Sequence, residues 1–290
     1  MKYLWIIFLI FACEKHDEET PGPQPEGIEA LQVLHDNDLT HARNIRDPDN
    51  GWLEKGCDGY LWTGKYAAIT CDVDMRASEF EETGRFGRTP AKRCWSSETG
   101  DNGSQTTWSR DMGTGLAEYA WRCRDSQLLQ DHVDYGWSTT PDWIMGQPLN
   151  DGRVIYTPNM VGMIHQIRYA ISGDDSVNRH WPASYPGGKT DYEAHLQVWS
   201  IKIRHEVDEE IGLVSFMGIT NSMRDRILEH YDREPNCPFY SYMYHLFETG
   251  DMTEPMQLIL DDVFDCEYLR DEMTVFIERI WVSDLILRRY

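Results

Sequence analysis

The chain has 290 residues, 41% of them hydrophobic, with 11 Trp and 15 Tyr, enough to bury a sizeable core in one large domain or two. Its formal net charge of −22 would repel a phosphate backbone, which excludes general nucleic-acid binding. No internal stretch reaches the roughly 18 apolar residues of a membrane-spanning helix.

Residues 1–13 read as a targeting segment. Lys2 gives a positive start, Tyr3 to Phe11 are apolar or aromatic, and Ala12-Cys13 follows. Ile10-Phe11-Ala12-Cys13 resembles a bacterial lipobox, with Phe11 bulkier than the usual residue at its place. The resemblance implies lipidation of Cys13, which becomes the mature N-terminus and anchors the protein to a membrane of the cell envelope. Glu14 to Glu19 resemble the charged export tag of surface-displayed bacterial lipoproteins. Thr20 to Gly27 form a Pro/Gly tether, so 14–27 reads as a spacer and 28–290 as the folded domain.

Without Cys13, six of the seven cysteines remain, an even number that permits disulfides in an exported chain. Cys57 and Cys94 are expected to brace the loop-rich region between them, and Cys71 and Cys123 to be buried thiols within helical patterns. No Cys/His spacing predicts a zinc site, and no cofactor motif is present.

Ile28, Leu31 and Leu34 predict a first helix. A second begins near Asp58, with Leu61, Ala68 and Ile69 inward and Trp62 and Tyr66 spaced four apart. Residues 76–104 form a long irregular segment, too long for an idle connection. Within it, Arg85, Arg88, Lys92 and Arg93 place four basic residues in nine positions. They stand near Glu79, Glu81 and Glu82, with which they could simply pair.

Gln105 to Asp125 carries a helical stripe of Trp108, Met112, Leu116, Tyr119, Ala120 and Cys123. Gly113 and Ala117 on a second face would let another backbone approach. Its first turn holds Ser109, Arg110 and Asp111, and such a turn has free N–H groups and a positive dipole end that favour a polar site. Asp111 also suits a plain capping role. Ser126 caps the next helix, which forms an antiparallel hairpin with the previous one. Val154 to Tyr156 read as a short strand, and Pro158 opens a helix that Gly173 stops. Helices follow over Tyr192–Val207, Ile219–Tyr231, Pro238–Thr249, Glu254–Val263 and Cys266–Tyr290. Nine or ten helices with little strand predict a mainly α fold, and no fixed-length repeat identifies a solenoid.

Four stretches, Asp58-Gly-Tyr-Leu-Trp, Trp108-Ser-Arg-Asp-Met, His132-Val-Asp-Tyr-Gly-Trp and His195-Leu-Gln-Val-Trp, put polar and aromatic residues together at the ends of helical hairpins. In architecture the domain resembles the (α/α) toroids of glycoside hydrolases and polysaccharide lyases. The helix count falls short of a six-hairpin ring, which leaves an incomplete one, and no catalytic family is singled out. The resemblance implies a poly- or oligosaccharide partner, anionic if the basic cluster binds it, and no nucleic acid.

Glycoside hydrolysis needs two carboxyl groups about 5–10 Å apart, one of them kept protonated. Asp58, Asp111, Asp134 and Asp151 are candidates, with Trp62, Trp108, Tyr135 and Trp143 to stack on sugar faces. Elimination by a lyase needs a base such as His132, Tyr135 or His195 and a cation such as Arg110, with Arg85 and Arg88 to hold an acidic chain. The non-catalytic alternative is a surface lipoprotein that binds glycan or protein. Gly113-Thr-Gly115 lacks the strand and lysine of a phosphate loop, and Ser109 lacks a nucleophile elbow.

Overall fold

The computed structural model describes residues 26–53, 58–80, 86–90, 110–139, 158–173, 191–212 and 221–290. Among these residues the fold is all-helical: α1 (Ile28–Ile45), α2 (Gly59–Thr70), α3 (Arg110–Cys123), α4 (Ser126–Thr139), α5 (Pro158–Ser172), α6 (Asp191–Glu210), α7 (Asn221–Arg233), α8 (Pro238–Glu248), α9 (Thr253–Leu260) and α10 (Glu272–Leu287). A lone antiparallel bridge joins Glu79 to Phe86. The strand expected at Val154–Tyr156 lies outside the described residues. No helix among the described residues is long and apolar enough to cross a membrane.

Local sequence explains the two kinds of helix present. In α1 the buried residues are Ile28, Leu31, His35, Asp38 and Ala42, a three-four spacing that turns one face inward. By contrast, α2 is buried from Gly59 through Ala68, and α3 from Met112 through Trp121, on every side. Helices buried all round must lie at the centre of the molecule.

Five helices close a cycle of packed neighbours: α2 against α3, α3 against α6, α6 against α8, α8 against α10, and α10 against α2. Cross-helix pairs show that they run in parallel. Between α3 and α6, Glu118 meets Trp199 and Lys202, Arg122 meets Glu206, and Arg124 meets Glu210. His195 lies against Phe239 and His205 against Phe247, so α6 and α8 advance together. Phe239 also packs on Trp281, and Tyr242 bonds to Arg289 just past the C-terminal end of α10. The remaining helices lie outside the cycle. Asp38 pairs with Arg279 and His41 with Phe276, so α1 runs antiparallel to α10. Arg224–Glu248 and Tyr231–Tyr244 set α7 antiparallel to α8 in the same way.

The closest approach in the cycle is between α2 and α3. A Cβ on Gly64 would sit 2.6 Å from the carbonyl oxygen of Gly115, and one on Gly115 would sit 2.8 Å from that of Tyr60. Backbone contact of this kind is open only to glycine. Close approach was expected at Gly113 and Ala117; Gly115, facing Gly64, is a position of such contact that the sequence reading did not name.

The same parallel run brings the helix ends together, and Cys71 is disulfide-bonded to Cys123 with Cα atoms 5.5 Å apart. These two cysteines are therefore not the buried thiols that helical patterning predicts. A second disulfide joins Cys237 to Cys266. The expected bridging partners Cys57 and Cys94 lie outside the described residues. The last helix also starts later than its apolar pattern predicts. Asp271 accepts from the Thr274 N–H and Thr274 reaches back, a capping box that begins α10 at Glu272. The freed segment ahead of it carries Cys266 and Tyr268 into the core.

Candidate functional site

Because the five inner helices are parallel, their N-terminal ends lie at one end of the molecule. Asp58 precedes α2 there, and Asp111 stands in the first turn of α3, half-buried. Asp58 makes no capping hydrogen bond; its carboxylate is 3.5 Å from the guanidinium of half-buried Arg88, whose carbonyl accepts from the Tyr60 N–H. Arg88 thus pairs with Asp58 across the chain. Tyr135 is half-buried on α4, whereas Asp134 points to solvent and accepts from Gln130. Arg110 begins α3, but its side chain, like Trp108, Trp143, Asp151, Arg85, Lys92, Arg93 and Cys13, lies outside the described part.

Three sequence candidates lie elsewhere than expected. His195 has no exposure and Trp62 only 2%, so neither presents a face to solvent. A base or a sugar platform has to meet its substrate, and these two are core residues instead. His132 is likewise fully buried, 5.5 Å from the ring of Phe86.

His195 belongs to a buried polar cluster along the axis of the helix cycle. Its ring is sandwiched between Tyr268, 3.9 Å away, and Trp62, 6.0 Å away, both within 11° of parallel. Its Nε2 lies 2.9 Å from Lys65 Nζ. Lys65 also donates to Glu278, whose other carboxylate oxygen accepts from the Tyr268 hydroxyl at 2.8 Å. The ammonium sits over the ring of Trp281 at 4.0 Å and that of Trp199 at 4.6 Å, a cation–π enclosure. Both Lys65 and Glu278 side chains are completely buried. Burial lowers the Lys65 ammonium to about 8 against the opposing pull of Glu278. Burial, with Lys65 beside it, also drives His195 well below its usual range, so its imidazole is neutral and accepts from Lys65.

One turn further along, Glu118 of α3 accepts from Lys202, from Trp199 Nε1 at 3.0 Å and from Trp281 Nε1 at 3.3 Å. Lys202 is shared with Glu206, 3.3 Å away, which also binds Arg122 at 2.7 Å and Trp121 Nε1 at 3.1 Å. Burial works against charge on both carboxyls. For Glu118 it is outweighed by Lys202 and Arg122, which hold the group far down in the carboxylate range. For Glu206 burial prevails over the same two cations, and its affinity for a proton is raised. Two carboxyls on one lysine are thereby pushed apart, one a permanent anion and the other readier to take a proton. The network reaches the surface at Arg122 and Glu206, each 18% exposed.

Lys65, Glu118, Lys202, Glu206, Tyr268 and Glu278 were not singled out from the sequence. The available signal is a charge inside an apolar helical run: Lys65 between Trp62 and Ala67, Glu118 between Leu116 and Ala120, Lys202 between Ile201 and Ile203, Glu278 after Ile277. Each looks like a solvated face until the helix is known to be buried all round. Among the described residues no group of three or more His, Cys, Asp or Glu side chains is arranged to hold a metal ion. No family model matches the chain, and neither a curated protein nor a solved structure matches it.

Proposed function

We propose that this protein is an exported, lipid-anchored, (α/α)-toroid-like protein that acts on carbohydrate at the end where its parallel inner helices begin. The observation that carries the reading is the shared direction of α2, α3, α6, α8 and α10, which gathers their positive dipole ends, Asp58 and Asp111 on one side. Such an end favours an anionic sugar chain, with Arg88 and the basic run that includes Arg85 as its cationic margin. Hydrolysis by the Asp58 and Asp111 carboxyls is the preferred chemistry. Elimination is less well served, because His132 and His195 are sealed in the core and Tyr135 is left as the base. Cys13 would carry the lipid and residues 14–27 would hold the domain away from the membrane.

The test is incubation of the purified protein with a panel of neutral and acidic polysaccharides, following new reducing ends and the ultraviolet absorbance of an unsaturated uronate. Reducing ends without the absorbance support hydrolysis, and both together support elimination. Binding with neither product supports the second reading, a non-catalytic surface lipoprotein that binds glycan or protein. The ion pair that already engages Asp58 favours that second reading.

A further inference from the structure

We propose that Lys65 and Glu278 become joined by an intramolecular amide bond, a covalent cross-link between α2 and α10. The two groups are in direct hydrogen-bond contact, and neither side chain has any exposure to water. A nucleophile and an electrophile held in this way react as a single molecule, without the cost of meeting. Two further side chains stand where the reaction needs them. Tyr268 donates its hydroxyl to the Glu278 oxygen on which negative charge develops, at 2.8 Å. Neutral His195 presents Nε2 to the amine at 2.9 Å.

The step balances without a co-reactant. One Nζ proton passes to Oε2 across the existing hydrogen bond, leaving an amine and a carboxylic acid. The Nζ lone pair then adds to Cδ, and Tyr268 stabilises the charge on Oε1. His195 relays a second Nζ proton to Oε2, the Cδ–Oε2 bond breaks, and water leaves. One proton stays on the amide nitrogen, and nothing is oxidised or reduced. The product removes two buried charges whose desolvation an ion pair repays only in part. Lowering of the Lys65 ammonium to about 8 works in the same direction.

The neighbouring pair, Lys202 and Glu118, lacks this arrangement. Its carboxylate is held as an anion by two indole N–H groups as well as Lys202, and Lys202 is shared with Glu206. The cross-link is therefore specific to Lys65 and Glu278.

Mass spectrometry of the full-length chain, reduced, alkylated and digested with trypsin, decides the matter. The expected result is a branched peptide uniting the segments around Lys65 and Glu278, lighter than their sum by one water, with no cleavage after Lys65. Recovery of the two segments as separate peptides at full mass overturns the proposal. So does a water loss that maps to Lys202 and Glu118.

Discussion

Trp199 of α6 donates its indole N–H to Glu118 of α3 at 3.0 Å, and Trp281 of α10 donates to the same carboxylate from the other side at 3.3 Å. Three inner helices are tied at one buried anion, which Lys202 neutralises. Packing supplies most of the stabilisation around it, at about 1.5–3 kcal/mol for each large apolar side chain taken from water. The polar cluster selects one arrangement of the helices, because any other register would strand a charge.

Removing one partner of that cluster exposes its cost. Glu118→Ala leaves Lys202 with Glu206 alone and two indole donors unsatisfied, and should destabilise the fold by about 3–5 kcal/mol. The double change Glu118→Leu with Lys202→Met should recover only the part of the loss due to the stranded lysine, because the two indole donors stay unsatisfied. Urea unfolding of the wild type and both variants checks this. A Glu118→Ala cost below about 1 kcal/mol, the worth of an exposed pair, would remove Glu118 as the tie between helices.

The glycine contact separates steric from conformational effects. Gly115→Ala places a methyl group 2.8 Å from the Tyr60 carbonyl oxygen and should cost about 1–3 kcal/mol through forced separation of α2 and α3. Gly173 follows α5 at φ +69°, and no described atom lies within 4 Å of where a Cβ would stand, so Gly173→Ala should lose only about 1 kcal/mol, from backbone strain. Thermal unfolding midpoints should rank the two in that order.

Stability should fall in mild acid. His230 is completely buried, both ring nitrogens lack hydrogen-bond partners among the described residues, and burial lowers it to about 4. Its unfolded value is near 6.5, so between those values the unfolded chain binds the extra proton and stability rises with pH. Stability is complete above about 6.5, is lost as pH falls towards 4, and levels off below, a loss of about 3 kcal/mol from this residue. His35, His165 and His205 are lowered in the same direction. Denaturant unfolding at pH 7 and pH 4.5 should show a smaller difference for His230→Phe than for the wild type. An equal difference would assign the acid sensitivity to the other histidines.

The proposed anchor makes its own prediction. Cys13→Ser should move the protein from the membrane to the soluble fraction of the producing cell, and unchanged fractionation would contradict lipidation at that residue.

Much of the helical layout was legible in the sequence, because capping residues and three-four spacing act locally: Pro158 opens α5 and Gly173 follows it where those signals put them. What was not legible depends on partners distant in the chain. Glu278 lies 213 residues from Lys65, so nothing near either residue marks the pair as buried. Trp62 and His195 carry the chemistry of a sugar site but are buried in the core, and for Trp62 periodicity cannot give the direction because α2 is buried all round. The Cys71–Cys123 bond requires α2 and α3 to run parallel, and short connections elsewhere in the chain suggest the opposite. Within the candidate site, Asp58 and Asp111 keep a shared end, while Asp134 pairs locally on an exposed face.

The most direct test of the functional account compares the wild type with the double variant Asp58→Asn, Asp111→Asn on the polysaccharide that yields most product in the panel. The account predicts a fall in initial rate of about 100-fold or more, with an unchanged unfolding midpoint, as expected for loss of an acid–base pair. Product formation at the wild-type rate by the double variant, or no product from any polysaccharide with the wild type, would contradict it.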